Sequence, residues 1–256
     1  MALKDFISQK KQELKILKRD MPLNELKKKI KNQKPRDFLS AFKNGFAIIA
    51  EIKKASPSEG IIDTNADIVE IARQYETGGA QIISVLTDKK FFYGNINFIP
   101  KIKNAVSLPI LRKDFIIDKY QIYESKAYGA DAILLIAKAL TEKKLEKFID
   151  LAHKLGLECL VEVHDKEDLN KILKLSDKIK VIGINNRNLN TLKTDLLVIG
   201  NLMPKIPKDK IVISESGIKD RKDVERIRKL GVNGILTGTS LMKAENKVLA
   251  VKSFLT

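Results

Sequence analysis

From Ala47 onward the sequence alternates, eight times over, between a short apolar run and a longer amphipathic stretch. The apolar runs read as strands near 47–52, 81–86, 109–112, 132–136, 158–163, 180–184, 211–214 and 234–237. Helical spacing of apolar residues falls near 66–77, 97–104, 118–128, 141–154, 166–175, 195–202, 220–230 and 240–253. Strict strand–helix alternation of this length predicts an α/β fold, a single (β/α)8 TIM barrel. An open doubly wound sheet is the competing arrangement, but no Gly-x-Gly-x-x-Gly follows the first strand. An internal echo supports the barrel: Gly79-Ala80, Gly129-Ala130 and Gly231-Val232 each close a helix and open a strand. These glycines stand 50 and 102 residues apart, close to two and four strand–helix units. Each is expected just past a helix end with positive φ.

Ahead of the first strand, Phe6, Ile7, Leu14, Leu17, Leu23, Leu26 and Ile30 recur at helical spacing over residues 3 to 32. Pro22 is expected to divide this stretch into two helices, and Pro35-Arg36-Asp37-Phe38 to end it. Residues 1–46 thus read as a helical extension covering the barrel, within one domain spanning 1–256. Lysines at 4, 10, 11, 15 and 18 interrupt the N-terminus, which lacks the apolar core of a signal peptide. No apolar run is long enough to span a membrane, and a cytoplasmic location is expected. A single cysteine, Cys159, leaves no internal disulfide and no multi-cysteine metal site; set early in a strand, it reads as an inert buried thiol. The net charge of +16 raises nucleic acid as a partner. The cations are mostly lysine, however, dispersed among Asp and Glu with no nucleic-acid motif, so a solvated basic surface is the expectation.

The informative oddity lies at the strand ends. Leu108-Pro109-Ile110-Leu111 runs straight into Arg112-Lys113-Asp114. Ile48-Ile49-Ala50 leads to Glu51 and Lys53, Leu160-Val161 to Glu162, Val181-Ile182-Gly183-Ile184 to Asn185, and Ile211-Val212-Ile213-Ser214 to Glu215. An unpaired ion in a buried strand is strongly destabilising, whereas a parallel α/β enzyme gathers its reactive groups at strand C-termini. Residues two apart share a face of a strand. Glu51 and Lys53 therefore lie on one side, and Lys113 and Glu162 share the faces of Leu111 and Leu160. If those faces line the axis, two lysines and two glutamates meet at the mouth, where pairing makes their burial tolerable and proton transfer possible. Two late loops suit an anion: Ser214-Glu215-Ser216-Gly217-Ile218 after the seventh strand and Thr237-Gly238-Thr239-Ser240 after the eighth. Glycines there admit close backbone approach, and this is where such barrels hold phosphate. His164 reads as a loop or capping residue, since no third ligand at metal spacing accompanies it and Glu162. His153, on an amphipathic helix, reads as structural.

Taken in order, Glu-Ile-Lys-Lys-Ala-Ser-Pro-Ser at 51–58, Ser-Val-Leu-Thr-Asp at 84–88, Phe-Phe-Tyr-Gly at 91–94 and Leu-Pro-Ile-Leu-Arg-Lys-Asp-Phe-Ile at 108–116 resemble the indole-3-glycerol phosphate synthase family. So do Leu-Val-Glu-Val-His at 160–164, Gly-Ile-Asn-Asn-Arg-Asn-Leu at 183–189, Ser-Glu-Ser-Gly-Ile at 214–218 and Thr-Gly-Thr-Ser-Leu-Met at 237–242. The leading helices and Pro35-Arg36-Asp37-Phe38 look like that family's N-terminal extension. Ala55 departs from the pattern, standing where relatives often carry a long basic side chain. The resemblance implies ring closure of 1-(2-carboxyphenylamino)-1-deoxyribulose 5-phosphate with loss of CO2 and water, in tryptophan biosynthesis, without metal or organic cofactor. It implies Lys113 as general acid, Glu162 as base, Lys53 as a second acid and Glu51 as the residue that holds and tunes the lysines. Which lysine serves which step is left open. Ser56, Asn185, Arg187 and Ser216 are implied as substrate contacts. Lys53, Gly217, Gly238 and Thr239 are placed near the phosphate, and Phe115, with Phe91 or Phe92, walls the aromatic ring. Plain core packing is the alternative for Phe115. A small phosphorylated substrate is the expected partner, with no nucleic acid or membrane, and the chain is expected as a monomer or weak homodimer.

Overall fold

The computed structural model describes residues 3–30 and 34–255. Two helices come first, α1 (Leu3–Asp20) and α2 (Leu23–Ile30), parted at Pro22 as its missing amide requires. The strands and helices that follow are β1 (Ala47–Ile52), β2 (Ala55–Ser56), β3 (Gly60–Ile61), α3 (Ile68–Thr77), β4 (Ile82–Leu86), α4 (Lys89–Phe92), α5 (Phe98–Lys103), β5 (Ile110–Lys113), α6 (Lys119–Ala127), β6 (Ala132–Ile136), α7 (Glu142–Lys154) and β7 (Glu158–Val163). The chain continues through α8 (Lys166–Leu173), β8 (Val181–Asn185), α9 (Leu197–Leu202), β9 (Ile211–Glu215), α10 (Arg221–Arg228), β10 (Gly234–Thr237), α11 (Thr239–Lys243) and α12 (Lys247–Leu255). Eight strands close in the order β1-β10-β9-β8-β7-β6-β5-β4, every pair parallel, while β2 and β3 form a separate hairpin. This is the TIM barrel. Gly79, Gly129 and Gly231 have φ of 94°, 88° and 86°, the left-handed turn that lets each helix end and the next strand begin.

Strand alternation separates two apolar regions. Ile49, Ile82, Leu111, Leu134, Leu160, Val181, Ile213 and Leu236 fill the barrel interior. Ile48, Ile83, Ile110, Ile133, Val161 and Ile182 point outward beneath the helices. The expected last helix, 240–253, is two: Ala244 is extended, and Asn246 restarts the chain by accepting the Leu249 amide at 3.0 Å. Three strands also run one residue further than their apolar runs, so that Lys113, Asn185 and Glu215 each occupy a ladder position. A side chain on the ladder is aimed by the strand itself.

The N-terminal segment touches both ends of the barrel. At the end where strands finish, Phe6 of α1 stacks on Phe115, with ring centroids 4.7 Å apart and planes 10° from parallel. At the opposite end the Arg36 amide donates to Asp131 at 2.6 Å, and its guanidinium donates to the Leu108 and Lys103 carbonyls, both at 2.7 Å. Asp131 also accepts from the Ile110 amide and Lys103. One carboxylate thereby binds the extension to the start of β5.

Candidate active site

The strand C-termini open into a cavity of about 700 Å³. Lys113, at the end of β5, donates to Glu162 of β7 at 3.1 Å and lies 3.2 Å from Glu215 of β9. Lys53 pairs with Glu51 at 3.0 Å. The parity of the strands thus brings Glu51, Lys53, Lys113 and Glu162 together. Glu215 belongs with them and was not among the expected site residues, although it lies two residues after Ile213 and so obeys the same parity. Gly183 makes the room it occupies: a Cβ there would collide with the Glu215 carboxylate. Gly183→Ala is therefore expected to push Glu215 off Lys113 and to lower kcat about tenfold, a shift of about 1.4 kcal/mol in the barrier. Steady-state kinetics beside a thermal melt checks this, and an unchanged kcat would make Glu215 dispensable.

The charges do not titrate independently. Burial disfavours the Lys113 ammonium, but Glu162, Glu215 and Glu51 together outweigh burial and raise it above an ordinary lysine. Burial likewise raises Glu162, yet Lys113 first and His164 next reverse this and hold the carboxyl below its usual range. Glu215 differs. Burial raises it, Lys113 opposes, and the neighbouring Glu162 leaves it pushed up to about 8. Two carboxylates around one ammonium cannot both ionise cheaply, and burial with the neighbouring charge favours a proton on Glu215 over one on Glu162.

The other expected residues line the same cavity: Ser56, Phe115, Asn185, Arg187, Ser216, Gly217, Gly238 and Thr239. Asn185 Oδ1 accepts the Arg187 amide at 3.0 Å, and the Arg187 guanidinium reaches Ser58 in the β2–β3 hairpin. Ser216 and Gly217 are successive left-handed residues, φ 65° and 83°. A Cβ at Gly217 would come within 2.6 Å of Thr194, and one at Gly238 within 2.6 Å of Glu51. Phe115 lines the cavity and is also core, being 7% exposed. Phe92 is 6.3 Å from it. Phe91 stands edge-on to Phe6, behind the wall. Asn186 was not singled out beforehand. It donates to Ser214 Oγ and the carbonyls of Glu215 and Ser216, at 3.0, 3.0 and 3.2 Å, and so fixes the loop after β9.

His164 goes beyond its expected role. It lies in the loop between β7 and α8, as expected, and its amide donates to Asp168 of the first turn of α8, but its side chain is 4% exposed and its ring lies between two carboxylates. Cys159 is buried, and burial pushes its thiol well above the ordinary value. His153 lies 3.3 Å from Glu158 on the outer surface.

A sequence model of the indole-3-glycerol phosphate synthases matches residues 3–254. The chain belongs to the indole-3-glycerol phosphate synthase family. The family's enzyme from Aliarcobacter butzleri is 47% identical over 95% of this chain and 94% of its own length. That from Acetivibrio thermocellus is 46% identical over 99% of both, and that from Caldanaerobacter subterraneus subsp. tengcongensis 48% over 96% and 94%. Among solved structures, 3-hexulose-6-phosphate synthase from Salmonella typhimurium matches with a TM-score of 0.64 at 15% identity, covering 82% of this chain and 96% of that one. That likeness shows the barrel alone. No described helix is long and apolar enough to cross a membrane.

Proposed function

We propose that the paired lysines and glutamates at the barrel mouth convert 1-(2-carboxyphenylamino)-1-deoxyribulose 5-phosphate to indole-3-glycerol phosphate. The observation that carries this is the division of one cavity. Phe6, Phe92, Phe115 and Leu134 give an apolar wall, the Ser216-Gly217 and Gly238-Thr239 turns line the cavity with it, and the charged pairs lie in the same space. The wall takes the anthranilate ring, and the turns with Lys53 take the phosphate. Asn185, Arg187, Ser56 and Ser216 orient what lies between.

Ring closure joins the arene carbon bearing the carboxylate to the ketone carbon, and the developing alkoxide takes a proton from Lys113. That lysine is suited to the task because the Glu162 and Glu51 carboxylates keep it an ammonium. The carboxylate then leaves as CO2, its bonding electrons restoring the arene through the iminium nitrogen. The substrate thus supplies its own electron sink, and the reading assigns no metal or organic cofactor. Dehydration follows: Glu162 removes a proton from the carbon beside nitrogen while hydroxide departs with a proton from Lys53. A carboxylate held low is a weak base. Once Lys113 has given up its proton, though, the main charge holding Glu162 down is gone, and its basicity rises when the second step needs it. Glu51 holds Lys53 in place.

Turnover of the carboxyphenylamino substrate, followed by indole fluorescence, tests the reading. The parent is expected to form the indole product, and Glu162→Gln to lose about 10²–10⁴-fold in kcat. A folded parent that makes no product would overturn it. The same reading takes the chain as a cytoplasmic monomer or weak homodimer without nucleic-acid partners.

A further inference from the structure

Glu162 and Glu215 approach Lys113 at nearly equal distances, 3.1 and 3.2 Å. Geometry at Lys113 alone does not decide which of them is the base. Among the described residues, however, only Glu162 also lies beside a histidine. Nε2 of His164 lies 3.2 Å from Glu162 Oε1, and Nδ1 lies 3.5 Å from Asp168 Oδ2. The ring does not line the cavity. We propose that His164 is a positioning residue: lying at ion-pair distance between Asp168 and Glu162, its ring aims the Glu162 carboxylate into the cavity and so favours Glu162 over Glu215 as the base. This rests on the reading of Glu162 as the base.

The seat for the ring is built. Asp168 stands in the first turn of α8, where the Asp165 side chain accepts its amide at 2.9 Å. Asp168 Oδ2 in turn accepts the His164 amide at 3.1 Å. Asp168 is thus held by its own backbone on one side and by the His164 backbone on the other. Burial disfavours an imidazolium, but Asp168 and Glu162 outweigh it and raise the ring to about 9. The remaining charges around the cluster are accounted for. Lys113 and Glu215 lie beyond Glu162 inside the barrel, Lys138 pairs with Asp165, and Lys171 donates to the Ala137 and Leu140 carbonyls. Glu167 is exposed on α8. His164 therefore stays beside Glu162 as a cation during the half-cycle in which Lys113 is neutral.

The chain has two histidines, so 15N NMR of the imidazoles in the intact protein is readily assigned with His153→Gln. The His164 ring is expected to remain doubly protonated up to about pH 8; a neutral ring at neutral pH overturns the proposal. In His164→Gln an amide keeps one contact but no charge. Its kcat is expected to fall about tenfold with KM within about twofold, because the loss is in the chemical step. The acid limb of the kcat profile moves to higher pH, since Glu162 has lost a cation that held it down. A lower melting temperature with the parent's pH limb would make His164 merely structural and overturn the proposal, as would parental kinetics. Should the variant fail to fold, the NMR titration of the parent decides. Full activity in Glu162→Gln would remove the base assignment instead, and the ring titration would still stand as measured.

Discussion

Lys113→Ala is expected to lower kcat by about three orders of magnitude while leaving the barrel folded. Two effects coincide. The proton donor for the alkoxide disappears, and Glu162 and Glu215 are left buried face to face without their shared ammonium. The second effect need not unfold the protein, because one of the carboxyls already favours its proton: Glu215 lies at about 8 in the parent. In the variant the pair relaxes by keeping that proton rather than by exposing the mouth. Substrate affinity should change much less than kcat, since the apolar wall and the glycine turns are untouched. Single-turnover fluorescence separates the two quantities. Restoration of part of the rate by a small primary alkylammonium, diffusing into the space vacated by the side chain, would localise the lesion to the missing cation. A variant turning over like the parent would transfer the essential acid to Lys53.

The barrel was readable from periodicity because each βα unit buries one strand and one helix face, and that demand repeats locally. What escaped is what depends on local polar chemistry. The break between α11 and α12 turns on Ala244 and Asn246, a two-residue choice hidden in a helical hydropathy pattern. The β2–β3 hairpin, of two residues per strand, is too short to register as a period.

The site was readable to the extent that strand parity carried it. Glu51, Lys53, Lys113 and Glu162 meet because residues two apart share a face, and Glu215 could have been found by the same count from Ile213. Phe6 could not. It lies in α1 and reaches Phe115 across more than a hundred residues of chain, a contact that no local spacing encodes. The ring contacts of His164 escaped for a related reason. Its partner Asp168 is four residues away, and its place between carboxylates follows from where β7 ends and α8 begins.

Lys10→Met should produce the largest loss of stability, about 3–5 kcal/mol. Lys10 is 2% exposed, and its ammonium lies 2.9 Å from each of Glu13, Asp88 and Asp114. Glu13 can turn toward water; Asp88 and Asp114 cannot, being 1% and 4% exposed. Removing the cation strands them, although Arg112 still pairs with Asp114 at 3.0 Å. Adding Asp88→Asn should recover part of the loss. It discharges one stranded group, and Asn still caps α4 in place of the bond Asp88 makes to the Phe91 amide. The pH dependence follows the same charges. Burial would raise Asp114, but Lys10 and Arg112 outweigh it and hold the carboxyl well below the usual range. A depressed carboxyl contributes stability that is complete above its unfolded pKa, about 3.9, and is lost as pH falls through the lower folded value. Without Lys10 that folded value rises, so acid unfolding should begin at higher pH than in the parent. Activity should register the change too. Phe6 and Lys10 are four residues apart on one face of α1, so the ion cluster anchors the same helix face that stacks on Phe115. Loosening it should raise KM more than it lowers kcat, a split opposite to that expected for Lys113→Ala. A melting temperature and acid transition matching the parent's would show that α1 is held by its apolar contacts alone.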